Sequence, residues 1–322
     1  MLFKLLMIAG ISVGIYFAIA LGLILSQRPA PLSGEGGLAF DRLLRQTKIA
    51  PLPQGTWTAP DETQLTYGHV PGPGTDAPLV VMVHGSGWYG GQFEGLARAL
   101  GDVAEVRAVT LRGHGANPER RGDVDYVGQF EDDLAALLAE AEGRKRILLG
   151  HSSGGGLVVR FAGGAHGGLI DGAVLLAPFL QYDAPTTRPN SGGWARPLTR
   201  RIIGLTMLNN VGIHALDHLT AIQFNMPQMV LDGPLGDYAT TAYSMRLNTS
   251  FAPRRDWRGD VAKLPDFLLI AGALDEAMVA DAYEPVLSAV TDKGRYLTVD
   301  GAAHLDIVDR RETVEAIRAF VQ

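Results

Sequence analysis

The amino-acid sequence predicts an α/β fold: a mostly parallel sheet with helices on both faces, interrupted by an inserted cap and preceded by an apolar helix. Three observations carry this reading. From Thr56 onward, short apolar runs alternate with longer helical stretches, the pattern of strands joined by crossover helices. That rhythm fails between Gln181 and Lys263. The chain is also apolar and uncharged from Leu5 to Leu25. Composition agrees, with 322 residues, 47% hydrophobic and only 19% charged, which excludes a disordered or coiled-coil chain.

The N-terminal stretch, bounded by Lys4 and Arg28, reaches about 30 Å at ~1.5 Å per residue, the thickness of a hydrocarbon core. A signal peptide has an apolar region of about 7–15 residues followed by a small-x-small site. Here Ser-Gln-Arg-Pro-Ala follows, with Arg28 where a small residue is needed. Residues 1–28 are therefore expected to be an uncleaved membrane anchor, with a cleaved signal or a core helix as the alternatives. Positive charge lies on both sides of the span, at Lys4 and at Arg28, Arg42, Arg45 and Lys48, so orientation is weakly specified. The expectation is a short N-terminal tail with an extracytoplasmic catalytic domain. Residues 29–55, rich in Pro and Gly, read as a linker carrying a short helix over Leu38–Lys48.

Two segments, 56–180 and 264–322, read as the core. Thr63–Val70, Leu79–Val83, Val106–Leu111, Arg146–Leu149, Ala173–Leu176, Asp266–Ile270 and Arg295–Val299 are expected strands, the second central because it is wholly apolar. Helices are expected at Phe93–Leu100, Asp123–Glu142, Gly154–Ala162, Asp281–Val290 and Thr313–Val321. Residues 181–263 are too long for a plain loop and read as a helical cap or lid, with a helix at Thr199–Asn209. This cap holds nine Arg and Lys against six Asp and no Glu, in a chain of net charge −6. No internal repeat is evident.

Gly150-His151-Ser152-Ser153-Gly154 stands between an apolar strand and a helical stretch. A G-x-S-x-G sequence in that context is a tight turn presenting a serine nucleophile, followed in chain order by an acid and then a histidine. A serine hydroxyl needs a base to take its proton and an acid to orient that base. Asp275, in Gly272-Ala273-Leu274-Asp275, and His304, in Gly301-Ala302-Ala303-His304, each follow a predicted strand in that order. His84-Gly85-Ser86-Gly87 follows Leu79–Val83 and is expected to supply a backbone N–H at Ser86 which, with that of Ser153, forms an oxyanion hole.

With HGSG, LRGHG (Leu111–Gly115), GHSSG and the GALD and GAAH loops in place, the chain resembles the α/β-hydrolase superfamily. The resemblance is to the serine-hydrolase branch holding monoacylglycerol lipases, lysophospholipases and proline iminopeptidase-like enzymes, and it covers Thr56 to Gln322. It implies a largely parallel eight-stranded sheet with the cap inserted after the sixth strand. The anchor and linker lie outside it.

The expected activity is hydrolysis of carboxylic esters, of monoacylglycerol or lysophospholipid type, with Trp88, Tyr89 and Phe179 against the substrate. A peptidase or amidase, and a catalytically silent binding protein, are the alternatives; the first needs an acidic pocket for a substrate amine. His84, His114 and His151 read as structural or pocket-lining, His214 and His218 as cap surface, Asp306 as capping or solvated, and Asp183 as the fallback acid. No cofactor or metal is expected: the chain has no Cys, no Walker lysine and no dinucleotide-binding glycine pattern. The mildly acidic total gives no reason to expect nucleic acid.

Overall fold

Leu79–Val83 is buried along its whole length, and alternate residues of such a strand point to opposite faces of a sheet. Val80 and Met82 join one apolar cluster with Ile147, Leu149, Val174 and Ile270. Leu79, Val81 and Val83 join the other with Leu148, Leu175 and Leu269. Strands buried on both faces need helices on both. Helices Glu94–Leu100 and Arg311–Val321 cover the first face, while Gln129–Ala139, Ser153–Gly163 and Tyr283–Ser288 cover the second.

The structure, a computed structural model, describes residues 1–41 and 50–322. Its strands are β1 (Gln54–Thr58), β2 (Gln64–Val70), β3 (Leu79–Val83), β4 (Glu105–Thr110), β5 (Arg146–His151), β6 (Gly172–Leu176), β7 (Ala195–Pro197), β8 (Thr220–Phe224), β9 (Ala242–Ser244), β10 (Phe267–Gly272) and β11 (Gly294–Val299). Eight form one sheet in the order β1-β2-β4-β3-β5-β6-β10-β11. Pairing is parallel from β4 through β11 and antiparallel at β1–β2 and β2–β4. This is the mostly parallel eight-stranded α/β-hydrolase sheet that the resemblance implies.

The region between β6 and β10 holds helix Thr199–Asn209, shorter helices, and a three-stranded sheet β7-β8-β9. The insertion is therefore mixed rather than purely helical. Strands of three to five residues are too short to declare an alternation, so the helical expectation had nothing to oppose it. Strand β1 was not expected either: only Trp57 is buried in it.

The N-terminal helix spans Leu2–Ser26 and is long and apolar enough to cross a membrane. Its C-terminal half packs on Thr199–Asn209, burying Ala20 and Ile24 against Leu205 and Leu208. Tyr16 donates to the Met207 carbonyl at 2.6 Å. Gly204 permits this approach, because a Cβ there would lie 2.5 Å from the Ala20 carbonyl oxygen. The helix expected over Leu38–Lys48 falls largely on 42–49, outside the described residues.

Candidate active site

Ser152 sits between the end of β5 and helix Ser153–Gly163 with φ 54 and ψ −120, a left-handed value that a non-glycine residue adopts only under constraint. The constraint is the turn itself. A Cβ at Gly150 would collide with the Gly154 carbonyl, and one at Gly154 with the Val83 carbonyl. The Ser152 amide donates to the Leu176 carbonyl at 2.9 Å, fastening the turn to the neighbouring strand.

The loops after β10 and β11 bring Asp275 and His304 to this serine. The Ser152 hydroxyl lies 2.9 Å from His304 Nε2, and His304 Nδ1 lies 2.8 Å from Asp275 Oδ2. All three side chains are buried. The other Asp275 oxygen accepts from the Ala277 and Met278 amides at 2.8 and 2.7 Å. Burial would push the Asp275 carboxyl up, but the His304 charge, its hydrogen bond and those two amides together hold it below its usual value. Burial works against a charged His304, yet the Asp275 carboxylate and hydrogen bond outweigh it and raise the imidazole above 6.5.

Ser86, on the loop after β3, lies beside this turn: its hydroxyl and that of Ser153 are 2.9 Å apart. Among the described residues, neither the Ser86 nor the Ser153 amide meets an acceptor, so both N–H groups are unpaired. The loop is held from two sides. The Tyr243 hydroxyl, from β9, accepts from the Gly87 amide at 2.6 Å and lies 2.7 Å from His114 Nε2. Burial drives His114 down to about 4, so its neutral ring accepts the tyrosine proton. On the other side, Gln92 accepts from the Gly85 amide at 3.1 Å and bonds His151 Nδ1 at 2.6 Å. His151 Nε2 lies 2.8 Å from the His304 carbonyl. Burial and the neighbouring His304 lower His151 to about 3, so it stays neutral and donates to that carbonyl.

Of the three residues expected against the substrate, Trp88 lines the cavity over Ser152, with Phe40, Trp194 and Leu305. Tyr89 instead stacks near Tyr238 at 4.3 Å, and Phe179 is tied in through its amide, which donates to the Ser152 carbonyl at 2.9 Å. His84 accepts from the Leu111 amide at 3.2 Å. His214 pairs with Asp217 at 3.0 Å, Asp306 accepts from the Ala303 amide at 2.6 Å, and Asp183 is exposed.

Three residues went unanticipated. Gln92 and Tyr243 stand in no motif, and nothing local marks them as supports of the loop that carries Ser86. Glu276 follows the acid directly: one oxygen accepts from the His304 amide at 3.0 Å and the other from the Ala39 amide at 2.7 Å.

A family model described as serine aminopeptidase, S33 (Hydrolase_4) matches residues 75–307. The chain belongs to this α/β-hydrolase family. It is 32% identical over 105 residues to a monoacylglycerol lipase of Mycolicibacterium smegmatis, a match covering 31% of this chain and 37% of that protein. The chain spans between about a third and half of the length of the curated relatives it matches. A soluble variant of monoglyceride lipase from Saccharomyces cerevisiae, solved with a substrate analogue, superposes with a TM-score of 0.63 at 16% identity, over 85% of this chain and 96% of that one. A membrane phospholipase A, described as a bacterial virulence factor, covers 99% of this chain and 97% of its own at 16% identity, with a TM-score of 0.58. At these identities the solved structures speak for the fold.

Proposed function

We propose that the protein is a serine hydrolase of carboxylic esters, of monoacylglycerol or lysophospholipid type. The observation that carries this is the buried hydrogen-bonded series Ser152–His304–Asp275 beside two unpaired amides. In this reading His304 takes the Ser152 proton as the hydroxyl attacks the ester carbonyl. The tetrahedral oxyanion is held by the Ser86 and Ser153 amides. Collapse expels the alcohol, which receives the proton from His304, and leaves an acyl-enzyme that water hydrolyses with His304 again acting as base. Asp275 holds the imidazole in the tautomer able to accept at Nε2 and stabilises its cation.

The family description also names an aminopeptidase, whose substrate amine needs a carboxylate nearby. The cavity over Ser152 is lined by none, whereas Asp41 and Glu276 line the groove outside it, and an aminoacyl amide assayed beside the esters separates the two readings. The helix Leu2–Ser26 is read as a membrane anchor with the catalytic domain extracytoplasmic, and its apolar, largely exposed surface supports the first part of that reading. The test is covalent labelling by a fluorophosphonate together with hydrolysis of p-nitrophenyl esters. Both are expected in the wild type and absent in Ser152→Ala, and labelling that survives the substitution moves the nucleophile elsewhere.

A further inference from the structure

Leu38 and Phe40 lie over the catalytic serine. The segment that carries them leaves the N-terminal helix and runs across the insertion as a strap with specific fastenings. Gln223 accepts from the Ala30 amide at 3.0 Å and donates to its carbonyl at 2.9 Å. Asn225 accepts from the Gly34 amide at 2.9 Å and donates to the Glu35 carbonyl at 2.6 Å. Glu276 holds the Ala39 amide. The strap ends with Leu38 and Phe40 buried, the Phe40 ring 5.7 Å from Trp88 and 5.5 Å from Trp194.

These two side chains separate two spaces. On the inner side, over Ser152, the free volume is about 10 Å³, room for about one water molecule and too little for any ester. On the outer side lies an open groove of about 490 Å³, which Leu38 and Phe40 also line, together with Pro227, Met229, Leu274 and Ala303. That volume is within the usual range for small-molecule sites. Met229 is 60% and Leu274 66% exposed, so the groove presents apolar surface to solvent. Among the described residues lining it, the charged ones are Asp41 and Glu276, whose carboxylates disfavour an anionic occupant. Residues 34–41 precede the segment that matches the family, so this wall belongs to the chain's own N-terminal extension.

We propose that residues 34–40 are a gate and that the groove outside it is the acyl-chain site. Displacing Leu38 and Phe40 joins the groove to Ser152, so that one uncharged alkyl chain lies along Met229 and Leu274 with its ester carbonyl at the serine. This deepens the ester-hydrolase reading and rests on it. Glu276 ties the gate to the base, because the side chain that fastens Ala39 also holds the His304 amide.

The test uses the full-length chain in nanodiscs, with p-nitrophenyl acetate and p-nitrophenyl decanoate as substrates. Phe40→Ala is expected to raise kcat/KM for both esters, by about tenfold if the closed gate costs one decade of access. Phe40→Leu, which keeps the roof apolar and guards against a folding defect, is expected to raise both by a smaller factor. Met229→Asp is expected to lower kcat/KM for decanoate about tenfold more than for acetate. Unchanged rates in both Phe40 variants overturn the gate, and a Met229→Asp effect that is equal on both esters or absent overturns the groove. Binding of 1-pyrenedecanol, read by fluorescence, separates this outcome from failure of the ester reading. A wild type that neither hydrolyses nor labels refutes the ester reading, whereas pyrenedecanol affinity that Met229→Asp leaves unaltered refutes the acyl site whatever the chemistry.

Discussion

Asp275→Asn is a sharp test of the base-orienting role because the surrounding amides dictate which way the new side chain turns. Asp275 Oδ1 accepts from two backbone amides at 2.8 and 2.7 Å, while Oδ2 faces His304 Nδ1. An asparagine that kept its NH₂ toward the amides would leave both donors unsatisfied, at about 1–3 kcal/mol each. It therefore places its carbonyl oxygen there and its NH₂ against His304. That NH₂ donates to Nδ1 and fixes the proton on Nε2, the tautomer that cannot accept from Ser152. Turnover of p-nitrophenyl acetate is expected to fall about ten-thousand-fold, equivalent to ~5.4 kcal/mol of barrier at ~1.36 kcal/mol per decade. Fluorophosphonate labelling slows in parallel. Stability in denaturant changes by under about 1 kcal/mol, because the amides keep their acceptor. Asp275→Ala strands both and is expected to cost about 2–6 kcal/mol. An Asn variant within tenfold of wild-type turnover, or one as unstable as the Ala variant, refutes this reasoning.

Protonation of His304 should set the acid limb of activity. The carboxylate beside it raises the imidazole above 6.5, and only the neutral ring accepts the serine proton, so kcat/KM is expected to fall as pH drops through a midpoint above that value; a pH–rate profile with its midpoint at or below 6.5 contradicts this. Gly204→Ala places a methyl 2.5 Å from the Ala20 carbonyl and is expected to destabilise the full chain by about 1–3 kcal/mol in denaturant titration. In a chain lacking residues 1–28 the sign reverses, since alanine is the better helix former by about 1 kcal/mol; destabilisation of equal size in both chains would mean the glycine serves something other than the helix contact.

Sequence legibility followed how local the signal was. Leu79–Val83 and Thr199–Asn209 match their expected bounds, because a wholly apolar run and an unbroken helical stretch declare themselves without their neighbours. Ser152, Asp275 and His304 stood out because each follows an apolar strand in a glycine-rich turn, and the sheet then carries them to within hydrogen-bonding distance of one another. Strand β1 stayed hidden, since it shows one buried residue and reads as coil until β2 pairs with it. Tyr243 and Gln92 act through partners 156 and 59 positions away, a relation that only the folded chain creates. The segment after Arg28 had the composition of a spacer, and composition reports an irregular backbone without reporting what that backbone lies against.

The docking of the N-terminal helix on Thr199–Asn209 has a consequence for depth. Only Leu2–Ile15 is free of the body along its whole length, and at ~1.5 Å per residue that stretch measures about 21 Å against a hydrocarbon core of about 30 Å. A bilayer crossed by this helix in its docked position therefore extends past Tyr16, along the part of the helix that the insertion embraces. In the insertion, Ile203, Val211 and Ile213 are exposed, apolar surface that such a bilayer would cover. An enzyme seated this way does not hang from its anchor into the aqueous phase. On the proposed anchoring it would be partly sunk in one leaflet, with the length of the helix setting how far.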